Sequence, residues 1–274
     1  MKRKIKSYLK RIYKLINLQE MKILPGHLAF NIVMMIVPIF SIIGVLGSSI
    51  DIKNLLDSLQ YNVPDAVLTI IESALNISSN EFNLILFVIF GLWLVSGGCR
   101  AIITSSDILY KVKDKSTIKK YLKSFLMVII LFLLIGFIII VPVLGDLIIN
   151  FLNKYIKAVG LMNLISNIYH LLKYPITIIL MFFLIKVLYT LAPSINVKSN
   201  FMTPGAWFTT ISWFILTRIY SFHLNNYSNY NLYYGSLSNI LILLVWVYLL
   251  AYLFTIGLAL NADNYLISLK ENDD

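Results

Sequence analysis

Three basic side chains lie within long apolar runs of this sequence: Arg100, Lys186 and Arg218. The six longest apolar runs contain no aspartate or glutamate, so nothing acidic within them can neutralise these charges. Ionisable residues inside membrane helices are costly and usually face a bundle interior or a wet cavity. The arrangement predicts a cationic intramembrane cavity that accepts an anion. A phosphate-bearing lipid suits such a site, because the arginine fork matches phosphate oxygens.

A simpler interpretation stays open for each charge. Arg100 is four residues from the predicted inner end of its run, about 6 Å, which its stem can bridge by reaching toward water. Lys186 is seven residues from the inner end of its run and Arg218 six from the outer end of its run, each about 10 Å in. Reaching water is harder for these two side chains, but the sequence is compatible both with a side chain that faces an interior cavity and with one that extends toward water.

The apolar runs that carry these residues define the fold class. The chain has 274 residues, 59% hydrophobic and 13% charged, with a mean hydropathy of +0.81, whereas soluble domains are roughly half apolar and a quarter charged. Unpaired backbone is costly in lipid, so helices are the expected spanning form. We predict an all-α, polytopic membrane bundle of six transmembrane helices at 27–47, 83–104, 124–144, 174–193, 205–224 and 238–260.

Charge outside the runs predicts the orientation. Sixteen of the 23 Lys and Arg fall in segments on one side of the predicted bundle, and four fall on the other. The positive-inside rule therefore places both termini in the cytoplasm. The net charge of +10 is explained by topology and requires no nucleic-acid partner. We expect a basic cytoplasmic or interfacial helix at 1–22, a transmembrane domain at 23–264, and a short, disordered cytoplasmic tail at 265–274.

Segments outside the runs also have helical patterns. In residues 2–18, apolar side chains repeat at helical spacing opposite a lysine face, which indicates an interfacial helix on anionic lipid headgroups or a solvated orientation signal. Residues 53–77 and 146–171 predict short amphipathic outer helices interrupted at Pro64 and Gly160, although 146–171 could instead prolong the third span or be miscounted as a loop, which would change the topology. The tyrosine-rich segment 225–237 predicts an interfacial aromatic belt, with binding of lipid headgroups or sugars as the alternative.

Helix-breaking and small residues suggest where the bundle could move. Pro38 should kink the first span, and the kink either forms a hinge or is tolerated because neighbouring groups satisfy the freed carbonyl. Gly97 and Gly98, together with Gly91, predict a close-packing face on the second span. Pro38, Gly97 and Gly98 are therefore candidate gating or hinge residues.

The sequence contains few residues in arrangements that are typical of catalytic or cofactor-binding sites. Metal-assisted phosphodiester cleavage needs clustered histidines and carboxylates, whereas His27, His170 and His223 are isolated in sequence. Cys99 is the only cysteine, and no Gly-rich ATP-binding loop is present. We expect no enzymatic activity, no cofactor and no metal site, and any transport would be passive, gradient-driven or powered by a partner.

Four segments resemble the YihY/BrkB family of membrane proteins in order and spacing. They are "GHLAFNIVMMIVPIF", "LWLVSGGCRAIITSSDILY", "TPGAWFTTISW" and "YYGSLSNILILLVWVYLLAYLFTIGLALNAD", within residues 25–263. The resemblance implies a six-helix bacterial inner-membrane protein of unsettled activity, with members labelled ribonuclease BN or virulence factor and some suspected of moving lipids. The family usually has Gly-Ala-Glu-Leu-Asn near the end, and Ala259 stands at the glutamate position here.

The leading functional prediction is a transporter or lipid translocase for an anionic, phosphate-bearing substrate. Arg218, Lys186 and Arg100 would contact the substrate, and the hinge candidates would permit movement. The alternatives are a noncatalytic membrane scaffold in envelope organisation and, less favoured by an acid-free interior, an ion channel or cation antiporter. Membrane lipids are the expected partners, and the sequence is compatible with a homo-oligomer.

Overall fold

The computed structural model describes residues 10–46, 64–75, 81–112, 117–133, 135, 159–227 and 235–273. Within these residues the regular structure is helical. The helices are α1 (10–16), α2 (Leu24–Leu46), α3 (Asp65–Leu75), α4 (Glu81–Leu109), α5 (117–133), α6 (Val159–Leu191), α7 (Thr203–Tyr227) and α8 (Ser238–Asp273). Short 3-10 helices at Gln19–Lys22, Ser199–Met202 and Gly235–Leu237 precede α2, α7 and α8.

In the described part of the chain, three helices are long and apolar enough to cross a membrane. Their spanning segments are Leu24–Ile42, Ile89–Leu109 and Ser238–Glu271, which correspond to the first, second and sixth predicted spans. A shorter apolar helix, Pro175–Leu191, corresponds to the fourth. The all-α class is therefore confirmed for the described residues, whereas the count of six spans stays a prediction.

The two remaining predicted spans are helical where the structure describes them. The third begins within α5, and its residues 136–144 lie outside the described residues. The fifth coincides with α7, whose composition is more polar than that of the other long helices. Its polar side chains are used in a contact with α8 that is described below.

Helices α2 and α4 approach closely along a stripe of small residues on α4. A methyl group built on Gly98 would lie 1.8 Å from the sulfur of Met35, and one on Gly91 would lie 3.4 Å from Cβ of Pro38. Ser105 follows Gly98 at the same seven-residue spacing and is fully buried. This repeat keeps one face of α4 narrow enough for α2 to pack against it.

A polar seam joins α7 to α8 along most of the length of α7. Its members on α7 are Gly205, Thr209, Trp213, Thr217 and Tyr220, which recur about once per turn. Their contacts on α8 are the side chain of Asn261, the carbonyl oxygens of Leu253, Leu250 and Ile242, and the indole of Trp246. The residue numbers of the contact partners rise along α7 while they fall along α8, so the two helices are antiparallel. Interhelical hydrogen bonds of this kind hold membrane helices together where burial of apolar surface cannot.

The basic segments meet at one end of the bundle, which we call the basic end. Arg11 of α1 forms an ion pair with Asp263 of α8. The Tyr110 hydroxyl, after α4, donates to the sulfur of Met202 at 3.4 Å, and its ring packs against Tyr265. Burial raises the pKa of Tyr110, which keeps its hydroxyl protonated as a donor. These contacts bring the N-terminal segment, the end of α4, the 192–202 loop and the end of α8 together.

The other end of α8 carries a predicted outer helix. Helix α3 begins directly after Pro64, buries Val67 and Ile71, and accepts a 3.2 Å hydrogen bond at Thr69 from Asn239 of α8. This helix confirms the later part of the amphipathic segment predicted at 53–77. Residues 53–63 and most of the tyrosine-rich segment, 228–234, lie outside the described residues.

Two expectations about segment ends are wrong. Residues 159–171 do not form a separate outer helix interrupted at Gly160, because α6 runs unbroken from Val159 to Leu191 into the fourth predicted span. Residues 146–158 lie outside the described residues. The tail is not disordered, since α8 continues to Asp273 and half-buries Tyr265 among the aromatic contacts of the basic end.

Candidate functional site

The segment Ser96 to Arg100 places a different kind of contact on each side of α4. The Ser96 hydroxyl lies 2.8 Å from that of Ser124 on α5. Gly98 packs against α2, and Cys99 is buried. Gly97 points away from α2, and a methyl group there would meet only Nη2 of Arg100, at 3.6 Å. The Arg100 guanidinium therefore lies beside Gly97, at a distance that an added methyl group would tolerate.

Arg100 is held beside an aromatic ring on the neighbouring helix. Its guanidinium carbon is 4.0 Å from the centre of the Tyr121 ring of α5. A cation at this distance is attracted to the ring face by about 0.5–2 kcal/mol, depending on solvent exposure. The side chain is half-buried, and its Nε is buried without a hydrogen-bond partner in the described structure.

Lys186 and Arg218 each lie near an aromatic ring one turn earlier on their own helix. The Nζ of Lys186 is 5.9 Å from the Phe182 ring on α6, and the guanidinium carbon of Arg218 is 5.4 Å from the Phe214 ring on α7. Lys186 is half-buried, whereas Arg218 is exposed on the surface of the bundle. Spacing of four residues brings such pairs onto the same helix face.

The described structure does not gather the three cations into one cluster. Thr217, next to Arg218, pairs with Trp246, whereas Tyr189, three residues from Lys186, donates to the carbonyl of Phe254. These two attachment points are eight residues apart on α8, about 12 Å along its axis. Lys186 and Arg218 therefore lie at different depths, and Arg100 lies on a third helix.

The three cations share one electrostatic property. Among the described residues, none of them has an acid or a hydrogen-bond acceptor within bonding distance, and the ion pairs present involve other residues. Aromatic rings attract a cation but accept few of its hydrogen bonds. Among the described residues no protein acceptor competes with water or an anion for the accessible donors of these side chains, whereas Nε of Arg100 is itself buried.

One charged residue of the basic end was not anticipated from the sequence. Asp107 is buried near the end of α4, where it accepts hydrogen bonds from the Ser194 backbone N–H and hydroxyl, both at 2.8 Å. Lys120 of α5 lies 3.3 Å from the same carboxylate. The only sequence signal was an acid directly following an apolar run. Its partners are distant in sequence, and the contact ties α4, α5 and the 192–202 loop together.

The hinge candidates occupy the contact between α2 and α4. Pro38 is buried inside α2 beside Gly91, and Gly98 lies on the same face of α4. Gly97 lies on the other side, at Arg100. The structure therefore places Pro38 and Gly98 in one tight contact and assigns Gly97 to a different one.

The described residues contain no group of three or more His, Cys, Asp or Glu side chains that could hold a metal ion. His27 and His223 are both exposed, at the beginning of α2 and near the end of α7. What the structure presents instead is a set of cations, aromatic rings and hydroxyls distributed over apolar helices. Such groups can bind and orient an anion.

The long apolar helices and the cations within them define a membrane protein built from several helices. The chain belongs to the virulence factor BrkB family, whose profile matches residues 12–268. It is also 26% identical over 262 residues to the ribonuclease-like protein YfkH of Bacillus subtilis (strain 168), covering 93% of this chain and 94% of that protein. No solved structure matches the chain significantly.

Proposed function

We propose that this protein is a transporter or lipid translocase for an anionic, phosphate-bearing substrate. The observation that carries the proposal is the set of three cations within apolar helices, which have aromatic neighbours but no acid or hydrogen-bond acceptor among the described residues. A charge in a membrane helix costs about 2.5–3.5 kcal/mol by insertion scales. Phosphate oxygens would supply the acceptors that these donors lack.

The proposal includes six spans, with α7 as the fifth. The buried face of α7 is polar and includes Thr209, Thr210 and Thr217, whereas its exposed face carries large apolar residues such as Ile211 and Ile215. A large apolar face is unfavourable in water but suited to lipid. In this proposal the basic end faces the cytoplasm of a bacterial cell, as the positive-inside rule predicts.

The different depths of the cations suit stepwise movement of a headgroup. Thr217, next to Arg218, and Tyr189, three residues from Lys186, contact α8 at levels about 12 Å apart, a substantial part of a hydrocarbon core of about 30 Å. A phosphate passing from one to the other would be less exposed to hydrocarbon than on an uncharged path. The chain contributes no ATP-binding loop, so we propose passive, gradient-driven or partner-driven movement.

The proposal is tested by reconstituting the purified protein into liposomes and measuring the flipping of fluorescent phospholipids. Arg218→Gln and Lys186→Gln are made singly and together, and Lys198→Gln removes an exposed cation from the 192–202 loop as a charge-matched control. We expect the double variant to slow flipping of an anionic phospholipid at least tenfold, with little change in the control. Undiminished flipping by a folded double variant would remove both cations from the mechanism.

A second candidate function, a noncatalytic membrane scaffold, is favoured by the docking of α1. Leu15 is buried in the core and Arg11 pairs with Asp263, while Lys10 and Lys14 remain exposed. This arrangement would present cations to anionic lipid headgroups or to a partner. Deleting residues 1–18 should abolish a scaffold function while the interior charge substitutions leave it intact. The opposite pattern favours the translocase.

A further inference from the structure

Helix α7 has an exposed face that differs from its polar seam with α8. We call this face the outer stripe and define it by Trp207, Ile211, Ile215, Arg218, Ile219 and Phe222. Each of the five apolar members exposes at least 41% of its surface. The stripe runs at helical spacing along one side of α7, and Arg218 is its only charged member.

Arg218 is unusual because its charge faces outward from an apolar surface. Within the part of the chain that the structure describes, the group that faces its charge is the Phe214 ring, at 5.4 Å. A guanidinium carries five N–H donors, and an aromatic ring satisfies them poorly. No acceptor among the described residues meets these donors, so the acceptor oxygens of a ligand would satisfy them.

The chemistry of the stripe points to a ligand with an anionic head and an apolar body. From Arg218 to Trp207 the helix rises through eleven residues, about 16 Å, roughly half of a 30 Å hydrocarbon core. The stripe is therefore long enough to contact much of an acyl chain. A second copy of this chain fits less well, because a two-fold contact centred on the stripe would bring two Arg218 side chains toward one another.

We infer that the outer stripe binds a glycerophospholipid, with its phosphate on the Arg218 guanidinium and its acyl chains along Ile215 and Ile211. This inference rests on the proposed function for the substrate class but changes the location of the substrate. The headgroup is held on the perimeter of the bundle, in contact with the membrane, rather than in an enclosed cavity.

The polar seam supports a perimeter location. On the opposite face of α7, Thr209 and Gly205 pack so closely on α8 that a methyl group on Gly257 would lie 2.1 Å from the Thr209 hydroxyl and 2.9 Å from the Gly205 carbonyl. There is no space at this crossing for a headgroup. Beside Arg218 itself, Thr217 is buried and accepts a hydrogen bond from the indole of Trp246, so a lipid would contact Arg218 from the exposed side.

The test uses phosphatidylglycerol that carries a photoreactive group on one acyl chain, incorporated into vesicles with the full-length protein. After illumination, cross-linked peptides are mapped by mass spectrometry and quantified against unlabelled competitor lipid. We expect cross-links at α7 around Ile211 and Ile215. Arg218→Gln should weaken apparent binding about tenfold, equivalent to about 1.4 kcal/mol, and Arg218→Lys should lie between, because lysine keeps the charge but loses the fork.

Two controls distinguish lipid binding at the stripe from a general effect of charge. Lys198→Gln removes a cation away from the stripe and should leave α7 cross-linking unchanged. Free inorganic phosphate should not compete, because it lacks the acyl chains. Equal α7 cross-linking by wild type and Arg218→Gln would overturn the inference, as would the absence of lipid cross-links at α7 in the wild-type protein.

Failure of the lipid site on the outer stripe and failure of the proposed translocase function give different experimental results. Loss of lipid binding in Arg218→Gln, combined with no flipping by the wild-type protein, would retain the site and reject the translocase. Arg218-independent α7 binding together with rapid flipping by wild type would reject the site and retain the translocase.

Discussion

The tight crossing of α7 and α8 predicts a large effect from a single methyl group. In Gly205→Ala the new carbon would lie 2.2 Å from the Gly257 carbonyl oxygen and 2.5 Å from Oδ1 of Asn261. The first of these atoms belongs to the backbone, so the helices must separate. Overpacking costs about 1–3 kcal/mol, and a strained hydrogen bond from the Gly205 N–H to Asn261, 2.8 Å in the wild type, adds about 0.5–1.5 kcal/mol.

Helix propensity opposes this cost, since alanine is favoured over glycine by about 1 kcal/mol in a helix. The expected net destabilisation is about 0.5–3.5 kcal/mol, which corresponds to a fall in the melting temperature of about 1–14 °C for a chain of this size. Gly26→Ala is the matched control, because no atom lies within 4 Å of the added carbon. It should be neutral or stabilising by up to about 1 kcal/mol.

Thermal unfolding in detergent, followed by tryptophan fluorescence, compares the two variants with wild type. Separation of the helices should also increase hydrogen exchange at the beginning of α7. A Gly205→Ala protein as stable as Gly26→Ala would refute the close approach of α7 and α8 on which the polar seam depends.

Two further predictions concern the basic end. Lys111 has a positive φ of 55° directly after α4, where the Val112 N–H donates to the Asp107 carbonyl. This backbone conformation is strained for lysine and is favoured by glycine, so Lys111→Gly should raise the free energy of unfolding by about 0.5–1 kcal/mol, measured by thermal melts in detergent. An unchanged or lower stability would contradict the strain. Asp107→Asn removes the charge from a buried hydrogen-bond acceptor, so it should lower the free energy of unfolding by about 1–3 kcal/mol and increase hydrogen exchange around Ser194. Unaltered exchange there would show that the carboxylate does not hold the 192–202 loop.

Hydropathy and charge predicted much of the fold because both depend on local composition. The spans containing Pro38, Arg100 and Trp246 coincide with α2, α4 and α8, and the amphipathic pattern after Pro64 produced α3. The basic segments, sorted only by loop, meet at one end through contacts such as that of Arg11 with Asp263. Helix ends were predicted less well, since the apolar pattern alone did not indicate that α6 starts at Val159.

The packing partners could not be predicted because they depend on register between distant helices. Asp107 meets Ser194 across 87 positions of sequence, and Gly205 meets Asn261 across 56. The outward orientation of Arg218 did have a local signal. Threonines recur on one side of α7 and isoleucines on the other, with Arg218 among the isoleucines, but average hydropathy does not distinguish these two faces.

Lipid translocation is tested most directly by the rate at which wild-type protein moves phospholipids in sealed vesicles. Fluorescent phosphatidylglycerol in the inner leaflet is followed as it becomes accessible to an external quencher, with protein-free vesicles and a headgroup-free diacylglycerol analogue as references. We expect the protein to accelerate the anionic lipid well beyond both references. Folded protein that leaves phosphatidylglycerol at the protein-free rate would contradict the proposal that Arg100, Lys186 and Arg218 serve lipid translocation.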